Sequence, residues 1–158
     1  MHVTFRKMKD DESELLKDFL YEAIYIPEGL EAPDRSIIRH PELRIYYEDF
    51  GRGKADFCIL AEADGKPAGA VWTRIMHDYG HVDEDMPSLA ISLYKEYRHK
   101  GIGTEMLKRM LDLLKEQKYR QVSLSVQKAN HAVRMYQAAG FRTVRENEEE
   151  YIMVCRLQ

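Results

Sequence analysis

The residues of this chain with the clearest potential for chemistry lie in one short stretch, Tyr97-Arg98-His99-Lys100-Gly101-Ile102-Gly103-Thr104. Two glycines separated by one residue allow a tight turn in which several backbone N–H groups face the same point. At the start of a helix such a turn binds anions, because the unpaired amides and the helix dipole both attract negative charge. Arg98 and Lys100 add positive charge beside the glycines. The stretch therefore predicts a phosphate-binding turn, with an ordinary strand-to-helix connection as the alternative.

Two common phosphate-binding motifs do not fit this turn. The dinucleotide-binding fingerprint needs a third glycine or an alanine at the position that Met106 occupies. The P-loop needs four residues between its glycines, whereas only Ile102 separates Gly101 from Gly103. The pattern thus favours an anion site of another class.

The elements on either side of the turn are those that could position it. Residues 88–93 alternate small or polar side chains with branched apolar ones, which predicts a half-buried strand. After the turn, apolar residues recur every three or four positions from Ile102 to Leu114, which predicts an amphipathic helix. The segment 121–126 alternates strictly and predicts a further strand. We expect these two strands to be parallel and joined by a right-handed crossover through the helix.

The whole chain reads as strand, helices, three strands, helix, strand, helix and two strands. This order predicts an α/β fold of mixed α+β type, with a central sheet of about six to seven strands and helices on both faces. Its length suits a single domain, residues 1–158. The other strands are expected at 2–7, 56–63, 67–76, 141–145 and 151–157, and the other helices at 15–24 and 130–139. The regular pattern breaks between Pro27 and Pro41, and a short helix is the candidate element that follows, either from Ile37 onward or around Leu43 to Asp49.

Composition narrows the partners and the compartment. The chain has 24 basic and 27 acidic residues and no long basic run, so nucleic acid is not an expected partner. It has no apolar run of signal-peptide or membrane-spanning length, and Cys58 and Cys155 lack a pairing motif, which together favour the cytoplasm. His77 and His81, with Asp78, Asp83 and Asp85 nearby, read as solvated connection residues, so we expect no metal site.

Together these features resemble the GNAT superfamily of acyl-coenzyme A dependent N-acetyltransferases. Arg98, Gly101 and Gly103 match its hallmark of Arg or Gln, two residues, Gly, one residue, and Gly or Ala. A second segment, Asn130 to Phe141, is similar to the later helix of that superfamily: an Asn opens it, Tyr136 follows six residues on, and Gly-Phe begins the next strand. The order of elements also resembles the superfamily from end to end.

The resemblance implies an enzyme that transfers an acetyl group from acetyl-CoA to a primary amine of a small molecule or a peptide. Transfer would occur by direct attack in a ternary complex, without a metal. It implies that strands 88–93 and 121–126 splay to admit the pantetheine arm, and that Tyr136 protonates the leaving thiolate. Asn130 would cap its helix or bond the pantetheine. A coenzyme A binding module without catalysis is the alternative function. The residues expected to hold the coenzyme, through their backbone or side chains, are Ile91, Leu93, Arg98, His99, Lys100, Gly101, Ile102, Gly103, Thr104 and Asn130.

The acceptor side is less defined by the sequence. The acceptor amine must lose a proton before attack, since an amine near pKa 10.4 is almost wholly protonated at pH 7. Candidate bases are Glu22, Glu28, Glu84 and Asp85, and none is preferred. The acidic run 146–150 reads as a solvated hairpin tip, with attraction of a cationic substrate as the alternative. The resemblance also implies a homodimer through the C-terminal strands as one oligomeric state.

Overall fold

Seven strands form one mixed sheet in the computed structural model, which describes residues 1–76, 81–82 and 84–158. The sheet order is β1-β2-β3-β4-β5-β7-β6, and all neighbouring strands are antiparallel except β4 and β5, which are parallel. The predicted parallel pair around the glycine turn is therefore confirmed. The strands are β1 (Val3–Lys7), β2 (Phe57–Ala63), β3 (Lys66–Arg74), β4 (Ser88–Leu93), β5 (Gln121–Gln127), β6 (Phe141–Glu146) and β7 (Glu150–Arg156).

Helices cover both faces of this sheet, as predicted. They are α1 (Leu15–Ala23), α2 (Pro41–Arg44), α3 (Ile102–Glu116) and α4 (Ala132–Ala139), with short 3-10 turns at Asp10–Glu12, Arg35–Arg39 and Lys95–Tyr97. One core cluster lies between the sheet and α3 with α4, and the other lies beneath α1 and the segment 37–50. Along β4, Leu89, Ile91 and Leu93 belong to the first cluster and Ala90 to the second, because successive strand residues point to opposite faces.

Local sequence explains why these elements begin and end where they do. The β2–β3 hairpin turns at Asp64 (φ 50°) and Gly65 (φ 82°), the backbone of a two-residue turn that suits Asp-Gly. The helix α3 buries Met106, Met110 and Leu114 on one stripe, which anchors it to the sheet.

The boundaries differ from the predicted ones by a few residues. The strand expected to reach Met76 ends at Arg74. The helix expected from Asn130 begins at Ala132, and its N-cap residue is His131; the Asn130 side-chain oxygen accepts a hydrogen bond from the Ala132 N–H at 2.9 Å just before the helix. Among the described residues, none of the helices is both long and apolar enough to cross a membrane.

A buried ion pair fixes the segment that leads into β2. The Asp56 side chain is 2 % exposed and pairs with Arg74 at 3.0 Å. The same carboxylate accepts hydrogen bonds from the N–H groups of Gly51 and Gly53, while Arg74 also donates to the carbonyls of Ile45 and Glu48. This network ties the poorly periodic region before β2 to the centre of the sheet.

Candidate functional site

The two parallel strands part soon after they meet. Only Ser88 of β4 and Ser123 of β5 are paired, and the Ser123 N–H donates to the Pro87 carbonyl at 2.9 Å. Beyond this point toward Leu93, no further residue pair joins the two strands. A wedge-shaped gap therefore opens in the middle of the sheet, toward the carboxyl ends of β4 and β5.

Backbone groups line both edges of this gap. The Tyr94 N–H donates to the Ala68 carbonyl at 2.9 Å and continues the β3–β4 ladder. Because ladder bonds alternate along an antiparallel strand, the N–H and C=O groups of Ile91 and Leu93 point toward β5. On the other edge, the bond from the Lys128 N–H to the Glu149 carbonyl continues the β5–β7 ladder, so the backbone of Ser125 points toward β4. The gap is thus bordered by polar backbone groups that can bind an extended amide-bearing ligand.

The glycine turn lies at the open end of the gap. His99 (φ 62°) and Gly101 (φ 82°) adopt left-handed conformations, and α3 starts directly after Gly101. The Glu105 N–H is the first amide bonded in the helical manner, to the Gly101 carbonyl. Within the described chain, no backbone hydrogen bond ends on the amides of residues 99–101, and those of residues 102–104 belong to the first helical turn. Six consecutive amides are therefore available to an anion at a helix N-terminus.

The Arg98 side chain has a structural role that the sequence did not indicate. Its Nε donates to the Leu93 carbonyl at 3.0 Å and its Nη2 to the Glu22 carbonyl at 3.2 Å. The guanidinium thus ties the end of β4 to the last turn of α1. Its charge suggested that all of its donors would face an anion, but two of them bond to these carbonyls. The Leu93 carbonyl is also occupied by this contact, which leaves the Leu93 N–H for a ligand.

Tyr136 faces the gap from α4. It is 8 % exposed, and its ring packs against Phe141 with the ring centroids 5.8 Å apart. The hydroxyl has no hydrogen-bond partner among the described residues. Every fully buried polar side-chain atom of these residues has a partner, so the Tyr136 hydroxyl is not fully buried and reaches the cleft surface. Burial raises the pKa of Tyr136 above its ordinary value, which keeps the phenol protonated at neutral pH.

A single cleft of about 1260 Å³ contains the glycine turn, the gap and part of the region after α1. The Tyr25 hydroxyl donates to the Ala129 carbonyl at 3.4 Å and bridges two of its walls. Lys100, which is exposed, and Ile102, whose side chain is in the core, do not line it. The predicted residues that do line it are Ile91, Leu93, Arg98, His99, Gly101, Gly103, Thr104, Asn130 and Tyr136.

The acidic residues of the chain divide clearly between the cleft and its surroundings. Glu22 and Glu28 line the cleft. Glu84 and Asp85 precede the paired end of β4 and do not line it, and Glu84 lies 3.5 Å from His81. Glu149 and Glu150, which the sequence assigned to a solvated tip, do line it.

Cys58 and His81 do not line the cleft. Burial raises the pKa of the thiol of Cys58, as expected for a core cysteine. The His81 Nδ1–H donates to the Met76 carbonyl at 2.9 Å. The histidines, cysteines and carboxylates that the structure describes form no group able to hold a metal ion. His77, Asp78 and Asp83 lie outside the described residues.

Known proteins share this sequence pattern and this architecture. The model of the acetyltransferase (GNAT) family matches residues 21–141. An N-alpha-acetyltransferase of Sulfurisphaera tokodaii is 29% identical over 115 residues, which cover 63% of this chain and 68% of that protein.

Solved structures show the same fold. The PaiA N-acetyltransferase of Thermoplasma acidophilum, solved in complex with coenzyme A, superposes with a TM-score of 0.71 at 21% identity and covers 99% of both chains. The ribosomal-protein-S18-alanine N-acetyltransferase of Escherichia coli superposes with a TM-score of 0.69 at 18% identity, over 99% of this chain and 95% of that one. With the family match over most of its length, the chain belongs to the GNAT family of acetyltransferases.

Proposed function

We propose that this protein transfers an acetyl group from acetyl-CoA to a primary amine by direct attack within a ternary complex. The observation that carries this proposal is the gap between β4 and β5, which opens beside six available amides at the start of α3. A flat sheet would bond β4 to β5 along their length. Here the polar edges remain available to a ligand that combines phosphates with an extended amide chain, and coenzyme A is such a ligand.

The glycine turn would hold the pyrophosphate. Amides of residues 99–104 supply hydrogen-bond donors, and the positive end of the α3 dipole adds to their attraction. At Gly103 an added Cβ would have its nearest neighbours at 3.5 Å, from Met135, and 3.7 Å, from Leu93. The protein itself thus has room for a side chain there. We expect Gly103→Val to remain folded and to lose coenzyme affinity, because the side chain would occupy the space of the phosphates.

The gap would hold the pantetheine arm and the thioester. The backbone groups of Ile91, the N–H of Leu93 and the backbone of Ser125 face that space. A backbone N–H aimed at the thioester oxygen would stabilise the negative charge that develops there during attack. The Asn130 side-chain oxygen accepts a hydrogen bond from the Ala132 N–H, so its amide nitrogen is the part left to bond the coenzyme.

Tyr136 would complete the transfer by protonating the leaving thiolate. A phenol with a raised pKa is a weak acid, so it can donate a proton to the thiolate only if it lies next to the sulfur. Tyr136 is largely buried, whereas its hydroxyl borders the cleft and has no hydrogen-bond partner among the described residues. These properties suit a group that receives its hydrogen-bond partner only when the coenzyme is bound.

Amine-dependent thiol release tests the proposal. The purified protein is mixed with acetyl-CoA and, separately, with a tripeptide bearing a free N-terminus, an N-blocked lysine peptide and an aliphatic diamine. We expect release of coenzyme A thiol that depends on one of these amines, with an equal amount of N-acetylated product detected by mass spectrometry. Tight coenzyme binding without release for any amine would instead favour a coenzyme A binding module.

A further inference from the structure

The cleft contains a carboxylate that the glycine turn and Tyr136 leave without a role. Glu150 is the first residue of β7 and is paired with Gln127 of β5. Its backbone is fixed from both sides, since its N–H donates to the Asn147 side-chain oxygen at 2.8 Å and its carbonyl accepts from the Asn147 N–H at 3.0 Å. The Glu150 side chain is half-buried and lines the cleft, and no hydrogen bond or ion pair joins it to another described residue.

The strand register gives the direction of this carboxylate. Along β7, Tyr151, Met153 and Cys155 belong to the core beneath α3 and α4, so Glu150 and Ile152 face the opposite side of the sheet. Directly paired residues of antiparallel strands share a face, and Ser125 is paired with Ile152. Glu150 therefore lies diagonally across from the Ser125 side chain, at the edge where β5 has parted from β4.

Tyr136 lies on the other side of the same sheet. Its ring belongs to the core cluster beneath α3 and α4. The cleft at the gap between β4 and β5 thus has a carboxylate on one side of the sheet and a tyrosine hydroxyl on the other, and neither group is paired with a described residue. During acyl transfer the nucleophile adds to one face of the thioester carbonyl while the sulfur lies in the carbonyl plane, so the amine and the thiolate exchange protons at different positions, and this arrangement provides one titratable group for each.

The charges around Glu150 leave it available to a cation. The nearest basic residue along the ladder is Lys128, whose ammonium binds Glu146 at 3.0 Å and lies over the Tyr151 ring. Burial, and secondarily the neighbouring charge of Glu149, raise the pKa of the Glu150 carboxyl above its ordinary value. A raised pKa makes the carboxylate a stronger proton acceptor at neutral pH. The other titratable residues that line the cleft are Glu22, Glu28, Lys95, Arg98, His99 and His131, besides Tyr21, Tyr25 and Tyr46.

On this geometry we propose that Glu150 binds the ammonium group of the acceptor amine and takes its proton. This inference rests on the proposed function. One ammonium proton passes to the Glu150 carboxylate, and the freed nitrogen lone pair forms the C–N bond as the C–S bond breaks. The thiolate takes a proton from Tyr136, and the second nitrogen proton returns to the phenolate. Glu150 then releases its proton to water, so one proton leaves per acetyl group transferred.

Glu150→Gln tests this assignment, with Glu148→Gln as the matched control. Both variants remove one negative charge from the same hairpin, but Glu148 is exposed and does not line the cleft. For the best amine of the panel, we expect Glu150→Gln to lower kcat/KM by roughly 10²–10⁴ at pH 7, the usual contribution of a general base. Coenzyme Kd and thermal stability should not change. Glu148→Gln should stay within about twofold of the parent.

The pH profile separates proton transfer from a merely structural effect. In Glu150→Gln the rate should rise about tenfold per pH unit toward the pKa of the amine, because the variant depends on amine that is already neutral. An unchanged kcat/KM in Glu150→Gln, or a deficit that is the same at every pH, would overturn the assignment while the parent remains an acetyltransferase. A parent that acetylates none of the amines would overturn the proposed function and, with it, this inference.

Discussion

Two glycines with the same backbone angle allow the effect of a substitution on coenzyme binding to be distinguished from its effect on stability. Gly101 in the phosphate-binding turn and Gly65 in the β2–β3 hairpin both have φ of 82°, and an added Cβ would meet no atom within 4 Å at either position. Alanine at each site therefore introduces the same left-handed backbone strain, about 1–2 kcal/mol, less the roughly 0.4–1 kcal/mol gained by restricting the unfolded chain. We expect each variant to lose about 1 kcal/mol of unfolding free energy, measured by urea denaturation.

Only Gly101→Ala should weaken coenzyme binding, because Gly101 lines the cleft and Gly65 does not. An amide that donates to a phosphate makes a charge-assisted bond of about 1.5–3 kcal/mol, so misplacing one amide should raise the Kd for coenzyme A roughly 10- to 150-fold. Isothermal titration calorimetry measures this directly, and Gly65→Ala should bind within about twofold of the parent. Parental affinity in Gly101→Ala, or an equal loss in both variants, would refute the assignment of the turn.

Three further changes probe the site and the scaffold. Tyr136→Phe should lower kcat roughly 10²–10⁴-fold with unchanged coenzyme Kd and thermal stability, since its hydroxyl has no partner among the described residues; an unchanged kcat would exclude the acid role. Asp56→Ala should cost about 3–5 kcal/mol in urea unfolding, because it leaves the Arg74 guanidinium buried without its partner; a loss below about 1 kcal/mol would contradict this. The hydrogen bonds from Arg6 lower the pKa of Glu12 to about 2, below the unfolded value near 4.5, so this pair stabilises the fold above about pH 4.5 and less as the pH falls toward 2. Glu12→Gln should flatten that dependence, and a parental slope in acid denaturation would argue against it.

Strong periodicity explains why most of the fold could be predicted. The alternating run 88–93 and the amphipathic run after Gly101 became β4 and α3 at the expected residues. The structure of residues 27–56 could not be predicted in the same way, because it depends on contacts with residues that are distant in the sequence. Arg74 and Asp56 supply such contacts through bonds to the carbonyls of Ile45 and Glu48 and to the N–H groups of Gly51 and Gly53.

The sequence predicted the parts of the site whose residues are close together in the chain. The glycine turn depends on neighbouring residues, whereas Arg98 bonds to a carbonyl 76 residues away, at Glu22, which no motif spacing reveals. Glu150 belongs to an acidic run that reads as a solvated tip, and only its register against Gln127 puts it in the cleft. A signal was nevertheless present, since the period of two through Tyr151, Met153 and Cys155 assigns Glu150 to the opposite face.

A crystal structure of the protein with coenzyme A would show where the coenzyme binds. We predict that the pyrophosphate accepts hydrogen bonds from the amides of residues 99–104 and that the pantetheine arm lies between Ile91 and Ser125, with its sulfur next to the Tyr136 hydroxyl. A coenzyme bound elsewhere on the surface, or strands β4 and β5 closed by hydrogen bonds along their length, would rule out the gap and the glycine turn as the coenzyme site.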